Sequence, residues 1–267
     1  MPPTSFYACA LVTGASSGLG AEFARQLAGR CHFLVLTARR ADRLEVLAAE
    51  LEADHPHVKV VTVAADVAEA VDRQRILEAC LQTGAVPDLL VNNAGMGDYG
   101  EFASASWDKL EAMIRVNVEA LTAMAHALAP LMIERGGGHI LQVSSLASVL
   151  PIPDFAVYAA TKAYVSSFSE ALRIELQEHG VHVTAVCPGP VHTEFGHVAR
   201  RGAAGKEHPL REWSYVEARQ VVSEALAGVE INRPKVFPGW KIAAAAVILG
   251  ALPLALVRLA MSTRPRR

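Results

Sequence analysis

The stretch Ala8-Cys9-Ala10-Leu11-Val12-Thr13-Gly14-Ala15-Ser16-Ser17-Gly18-Leu19-Gly20 decides the fold. An apolar, strand-like run passes straight into glycines spaced G-x₃-G-x-G, and a helical pattern follows through Leu27. Glycine permits positive φ and lets the backbone approach a ligand with no Cβ in the way. Free N–H groups at the start of the next helix then face an anion, as a pyrophosphate needs. An ordinary glycine-rich turn would carry the same residues. Its place at the first strand–helix junction favours a dinucleotide, with Gly14, Ser16, Ser17, Gly18, Leu19 and Gly20 as contacts.

Outward from this turn, short apolar runs alternate with longer helical patterns. The strand-like runs are Phe33–Thr37, Val58–Val63, Asp88–Asn92, His139–Val143, Val181–Val186 and Lys235–Phe237. Helical patterns cover Asp42 to Asp54, Glu69 to Leu81, Trp107 to Ile133, Phe155 to Glu178 and Tyr215 to Ile231. This alternation predicts an α/β architecture: one doubly wound, Rossmann-type domain over residues 1–238, with a parallel sheet of about seven strands and helices on both faces. No linker or internal repeat divides the chain. Ligands of such sheets sit beyond the carboxyl ends of the strands.

Composition narrows the class. The 267 residues are 52% hydrophobic and 19% charged, which excludes a disordered chain. A net charge of −2 leaves no global basic face and argues against nucleic acid as a partner. Cys9, Cys31, Cys80 and Cys187 are scattered with no C-x-x-C pair, which reads as reduced thiols of a cytoplasmic protein. The amino terminus has no basic, apolar leader pattern. At the other end, Ile242 to Val257 is uncharged and is followed by Arg258, Arg264, Arg266 and Arg267. Pro253 interrupts that run, which is shorter than the roughly 20 residues of a membrane span. Residues 239–267 therefore read as an apolar carboxyl-terminal extension with a basic end. Three readings stay open for residues 240–261: a helix covering a pocket or subunit contact, a peripheral membrane contact, or, least favoured, a span.

Two further clusters carry chemistry. The second strand ends in Thr37-Ala38-Arg39-Arg40, with no acid at either arginine position. A carboxylate there would accept hydrogen bonds from the 2′-hydroxyl of NAD, whereas arginine pairs with the 2′-phosphate of NADP. With a nucleotide in the turn, Arg39 and Arg40 favour NADP(H); without one they are solvated charges. Tyr158 and Lys162 stand at i and i+4 on one helical face. An ammonium close to a phenol is expected to lower its pKa and make it a proton donor or acceptor near neutral pH. Ser144-Ser145 closes the preceding strand and offers a hydroxyl to a carbonyl oxygen, though serines there are often turn formers.

In order and spacing these elements resemble the short-chain dehydrogenase/reductase family of ordinary length. The match includes the Thr13–Gly20 turn, Asp66-Val67, Asn92-Asn93-Ala94-Gly95, Asn117, Ser145, Tyr158, Lys162 and Pro188-Gly189-Pro190-Val191-His192-Thr193. The resemblance covers about residues 7 to 238 and implies a role for each. Tyr158 would be general acid in reduction and base in oxidation. Lys162 would lower its pKa and bind the nicotinamide ribose. Ser145 would hold the substrate oxygen, and Asn117 would keep a water relay to Lys162 in place. Asp66 and Val67 would meet the adenine, and Asn93, with Ala94 and Gly95, the adenosine ribose, while Asn92 would tie strands together. Pro188, Gly189, Val191 and Thr193 would line the carboxamide and phosphate side. Hydride transfer of this kind needs no metal, and His192, His197 and His208 are not spaced as ligands.

The same resemblance places a mobile, irregular substrate-binding segment at residues 193 to 214. Phe102, Leu146, Val149, Leu150, Ile152 and Phe155 are candidate pocket walls, which suits a fairly hydrophobic carbonyl or alcohol substrate. Arg200, Arg201 and Lys206 read as solvated loop charges that could also meet an acidic head group. The expected function is NADPH-dependent carbonyl reduction. Reduction of a 3-oxoacyl thioester is the rival within enzymes, and a non-catalytic NADP-binding sensor or scaffold is the rival outside them. The family habit of pairing the long helices implies a homodimer or homotetramer.

Overall fold

The computed structural model describes residues 5–201 and 215–262. Gly202, Gly205, Lys206, His208, Arg264, Arg266 and Arg267 lie outside the described residues. The strands are β1 (Tyr7–Thr13), β2 (Cys31–Ala38), β3 (Lys59–Ala64), β4 (Leu89–Asn92), β5 (Gly138–Val143), β6 (Val181–Val186) and β7 (Lys235–Val236). They form a parallel sheet in the order β3-β2-β1-β4-β5-β6-β7. The order reverses between β1 and β4, where the crevice for a ligand opens.

Buried on both faces, the central strands carry apolar residues on both sides rather than alternating. Ala10, Val12, Leu34, Leu36, Leu141 and Val143 point to one side. There they meet helices α1 (Gly18–Ala28), α2 (Ala41–Asp54) and α8 (Ala218–Glu230) through Phe23, Leu27, Leu44 and Leu226. Cys9, Leu11, Val35, Leu90, Ile140 and Val183 point to the other. They meet α3 (Ala70–Gln82), α5 (Leu121–Glu134) and α6 (Ala156–Leu176) through Ile76, Met124, Leu128 and Leu176. All four cysteines are free and buried.

The helical pattern from Trp107 to Ile133 forms α4 (Trp107–Ile114), a π-helical turn over Arg115–Ala120, and α5. Trp107–Glu134 is apolar and long enough to cross a membrane, but Met113, Met124, Leu128 and Met132 are buried in the fold. The segment from residue 193 was expected to be irregular; its first part is instead a short helix, α7 (Glu194–Ala199). Past β7, the apolar run forms α9 (Trp240–Ala251) and α10 (Leu254–Ser262), broken at Leu252-Pro253.

At the amino-terminal edge of the sheet Asp88 ties three strands together. Its carboxylate accepts from Ala8 N at 2.8 Å and Cys9 N at 3.1 Å, and its own carbonyl accepts from His139 N at 2.8 Å. Hydrogen bonds to a charged group are worth about 1.5–3 kcal/mol each at most. Asp88→Ala is expected to lower unfolding stability by about 2–3 kcal/mol in urea titration, with nucleotide binding at the opposite edge unchanged.

Candidate active site

The glycine turn is fixed by the end of β4. Thr13 Oγ1 accepts from Asn93 N and Ala94 N, both at 3.0 Å, and donates to Val91 O at 3.3 Å. Asn93 Nδ2 donates to Thr13 O at 2.9 Å and Gly14 O at 3.3 Å. Gly14 has φ +68°, and a Cβ there would come within 2.8 Å of Ala94 Cα. A Cβ on Gly20 would run into the Gly14 carbonyl oxygen. Only glycine lets helix, turn and neighbouring strand meet this closely. Asn92, expected to tie strands together, instead donates from Nδ2 to Leu121 O at 3.1 Å and ties β4 to α5. The link between strand ends is made by Thr13 and Asn93.

Ser17, the N-cap of α1, makes no side-chain cap bond, so its hydroxyl is available elsewhere. Arg40 reaches Ser17 Oγ at 2.7 Å through Nη2, and Ser16 Oγ at 3.2 Å through Nε and 3.1 Å through Nη2. Its remaining nitrogen, Nη1, donates to Glu194 at 2.9 Å, and Arg43 reaches the same carboxylate at 2.6 Å. Arg39 is 77% exposed and has Nη1 at 3.9 Å from Asp66 Oδ2. Asp66 Oδ1 accepts from Ala68 N at 3.0 Å, a local turn bond, and Val67 beside it is buried. Thr193 faces Gly18 across the mouth of the turn, with a Cβ on that glycine falling 3.3 Å away.

Deeper in the crevice, α6 carries Tyr158 and Lys162 on one face, both buried. Phe155 stacks on the Tyr158 ring with centroids 4.2 Å apart, and Phe195 of α7 lies 5.5 Å away. Leu110, Met113, Ala147 and Ala159 complete this apolar cluster, with Met96 and Ile152 packed against it. Of the expected pocket walls, Ile152 and Phe155 join the cluster, Leu146 packs against the other core, and Phe102 is exposed. Lys162 Nζ donates to Val143 O at 2.8 Å and stands 5.8 Å from the Tyr158 ring centroid. An ammonium has three protons to donate. Gly95 approaches the same point, since a Cβ on it would lie 3.4 Å from Lys162 Nζ and 3.3 Å from Asn117 Oδ1.

Burial dominates the acid–base balance here. It pushes the Tyr158 phenol up to about 12, against the opposing hydrogen bond of Ser145, and it pulls the Lys162 ammonium down to about 8. The expectation that Lys162 lowers the phenol's pKa is therefore not met in the chain on its own. The dry surroundings disfavour the phenolate more strongly than its neighbours favour it.

Asn117 lies in the π-helical turn and is fully buried. Its Oδ1 accepts from Met96 N at 2.9 Å, while Nδ2 donates to Met96 O at 2.9 Å and Thr161 Oγ1 at 3.0 Å. The side chain thus fastens the loop after β4 to α6, and a π turn is a common companion of functional positions. Ser144 is structural: its hydroxyl donates to Lys162 O and shares a hydrogen with Ser166, both at 2.8 Å. Ser145 opens a short 3₁₀ turn, where its Oγ accepts from Ala147 N at 3.1 Å.

Several contributors escaped the sequence reading. Phe195 and Met96 join the apolar wall through packing that only the folded chain defines. Asp98, buried beyond the Asn92–Gly95 turn, pairs with Arg201 and with Lys109 at 3.0 Å. Arg201 is therefore no solvated loop charge; it pins the far end of α7, helped by Tyr99 N donating to Ala199 O at 2.8 Å. An acid at position 98 and a base at 201 were visible, but not their pairing. Val191 bridges to Val216, and His192 stacks on Tyr215 at 4.0 Å. Pro188-Gly189 lies under α9, whose Ile242 occupies the place a Gly189 side chain would need.

The family model described as "short chain dehydrogenase" matches residues 8–203. Sulfoacetaldehyde reductase 2 of Chromohalobacter salexigens is 35% identical over 85% of this chain and 93% of its own. A short-chain dehydrogenase from Sphingobium yanoikuyae, solved in complex with NADPH, is 33% identical with a TM-score of 0.80 over 97% of both chains. The bulky-bulky ketone specific alcohol dehydrogenase of Comamonas testosteroni is 29% identical, with a TM-score of 0.77 over 97% of this chain and 95% of that one. The chain belongs to the short-chain dehydrogenase family and is an oxidoreductase.

The buried ammonium yields a stability prediction. Because the folded pKa of Lys162 lies below that of a free lysine, the folded state is penalised while the group is charged. That penalty is complete below about pH 8 and vanishes as pH rises toward the unfolded value near ~10.5. Lys162→Met is expected to raise Tm by about 2–6 °C at pH 6, with the gain shrinking by pH 9. Calorimetry at the two pH values checks both sign and trend.

Proposed function

We propose that the chain is an NADP(H)-dependent carbonyl reductase, or alcohol dehydrogenase in reverse, acting on a fairly hydrophobic substrate. The observation that carries this reading is a buried phenol beside a buried lysine against an apolar cluster. The residues present fit a dinucleotide. Gly14, Gly18 and Gly20 clear the approach to the uncapped start of α1, the Arg40 guanidinium lies beside it, and buried Lys162 has one protein acceptor for its three protons. When bound, NADPH supplies the hydride for the carbonyl carbon.

The chain's own side chains do the rest. Gly14, Ser16, Ser17, Gly18, Leu19 and Gly20 hold the pyrophosphate side, while Arg39 and Arg40 favour the 2′-phosphate form. Asp66 and Val67 flank the adenine, and Asn93, Ala94 and Gly95 border its ribose. Lys162 binds the second ribose with its remaining protons. Pro188, Gly189, Val191 and Thr193 close the carboxamide side. Tyr158 Oη donates a proton to the substrate oxygen, and its high pKa keeps it protonated across the neutral range. Ser145 Oγ orients that oxygen, and Asn117 fixes the backbone that positions a proton relay to Lys162. Phe155, Phe195, Met96 and Ile152 exclude water and select apolar groups.

An apolar groove lined by Ile114 of α4, Val118 of the π-helical turn and Val157, Ala160 and Tyr164 of α6 supports a homodimer or homotetramer. We read residues 239–267 as an extension of the domain of a cytoplasmic protein. Its exposed Trp240, Val247, Ile248, Leu256 and Leu259 support a peripheral membrane contact within residues 240–261.

Two measurements test this reading. Tyr158→Phe is expected to reduce turnover by about 10²–10⁴-fold while the NADPH dissociation constant, followed by fluorescence titration, stays unchanged. Unchanged turnover in that variant would remove the phenol from the reaction. With methyl ketones of increasing chain length, kcat/KM is expected to rise by up to about fourfold per methylene until the site is full; a flat series would exclude an apolar subsite.

A further inference from the structure

We propose that Glu194 is a built-in competitor for the anion subsite of Arg40 and Arg43, and so sets how strongly the chain prefers a 2′-phosphorylated nucleotide over an unphosphorylated one. The inference rests on the reading that the arginines after β2 receive a 2′-phosphate. It goes beyond that reading by assigning the setting of the preference to an acid on another element, 151 residues from Arg43 in sequence.

The geometry is that of an occupied receptor. Arg40 has one edge anchored on the Ser16 and Ser17 hydroxyls of the glycine turn, and its remaining terminal nitrogen on Glu194 Oε2. Arg43, one turn along α2, takes the other oxygen, Oε1. One carboxylate therefore bridges two guanidinium groups, as a phosphate would with its own oxygens. Arg43 and then Arg40 hold the Glu194 carboxyl down to about 2, so it is an anion at any working pH. A phosphate reaching the same nitrogens must displace it or share the cations with it. A nucleotide ending in a 2′-hydroxyl makes no such demand and leaves the carboxylate where it is.

The position of Glu194 gives the competition a structural meaning. It is the first residue of α7, directly before Phe195, whose ring lies 5.5 Å from that of Tyr158 and against Gly97. The opposite end of the helix is held separately by Arg201 on Asp98. Release of Glu194 thus frees one end of α7 while the other stays docked.

The test uses the full-length protein and two probes, 2′,5′-ADP and 5′-AMP, which differ by the 2′-phosphate and require no turnover. By calorimetric titration at low salt, Glu194→Gln is expected to tighten 2′,5′-ADP about three- to tenfold and leave 5′-AMP within about twofold. Added salt should shrink the gain. Glu194→Ala should behave alike, which separates loss of charge from a new amide contact. Equal effects on both probes, or weaker binding of 2′,5′-ADP, would overturn the inference by making Glu194 an organiser of the arginines. If neither wild-type protein nor Glu194→Gln bound 2′,5′-ADP more tightly than 5′-AMP, the arginine reading itself would fall, and the inference with it. Wild-type preference for 2′,5′-ADP with no gain in Glu194→Gln would sink the inference alone.

Discussion

The contact on which the site depends is made by one hydroxyl and one amide. Thr13 Oγ1 and Asn93 Nδ2 lock the end of β1 to the end of β4 at the point where the sheet order reverses. The β1–β4 ladder ends at Val12 and Val91, and beyond it the chain leaves the two strands in opposite directions, so the residues just past the ladder are held by these side-chain bonds. Without the lock, the glycine turn would be free to close onto the crevice. With it, Gly14 and Gly20 must pack so closely that no side chain fits, and the start of α1 is left bare. The backbone groups that face a ligand are available because neighbouring side chains are committed to each other.

A second tension lies between stability and chemistry. Burying a lysine with a single acceptor opposes folding, whereas the apolar surroundings that raise the Tyr158 phenol to about 12 leave it neutral in the folded and unfolded chain alike near neutral pH. Both conditions suit reduction. In the proposed reaction a proton held tightly on Tyr158 would remain there until a developing alkoxide, a stronger base than neutral water, took it. A lysine with protons lacking protein acceptors is poised for a polar ligand that brings its own oxygens. The core on either side of the sheet supplies the stability that offsets this local cost.

Much of this was legible in the sequence because it depends on local pattern. Strands, helices, the glycine turn and the Tyr158–Lys162 spacing are set within a few residues of one another. What was not legible depends on contacts across long sequence separations. The π turn at Asn117 cannot be read from Arg115–Ala120 alone, because its side chain is engaged with Met96 and Thr161. The residues of α7 read as an irregular segment, since a six-residue helix is too short to show a period, and ion pairs to α2 and Asp98 hold its ends. Tyr158 illustrates the same limit for electrostatics. Its spacing from Lys162 was plain, but the sign of its pKa shift follows from Phe155, Phe195 and the other groups that bury it.

The carboxyl-terminal helices show the same dependence on contacts distant in sequence. A helix that is apolar all round is normally buried all round. In α9 one side, with Ile242 and Ala246, is buried, while Trp240, Ala244, Val247 and Ile248 follow at helical spacing on the other and are exposed. The buried side is not a casual docking, because Ile242 fills the gap that glycine at position 189 leaves, directly beside the segment leading to Thr193. A larger residue at 189 would have to displace Ile242, and α9 with it. The outer face of α9 is therefore on a helix whose inner face is fixed at Gly189. A surface that covers the outer face also steadies Gly189 and its neighbours.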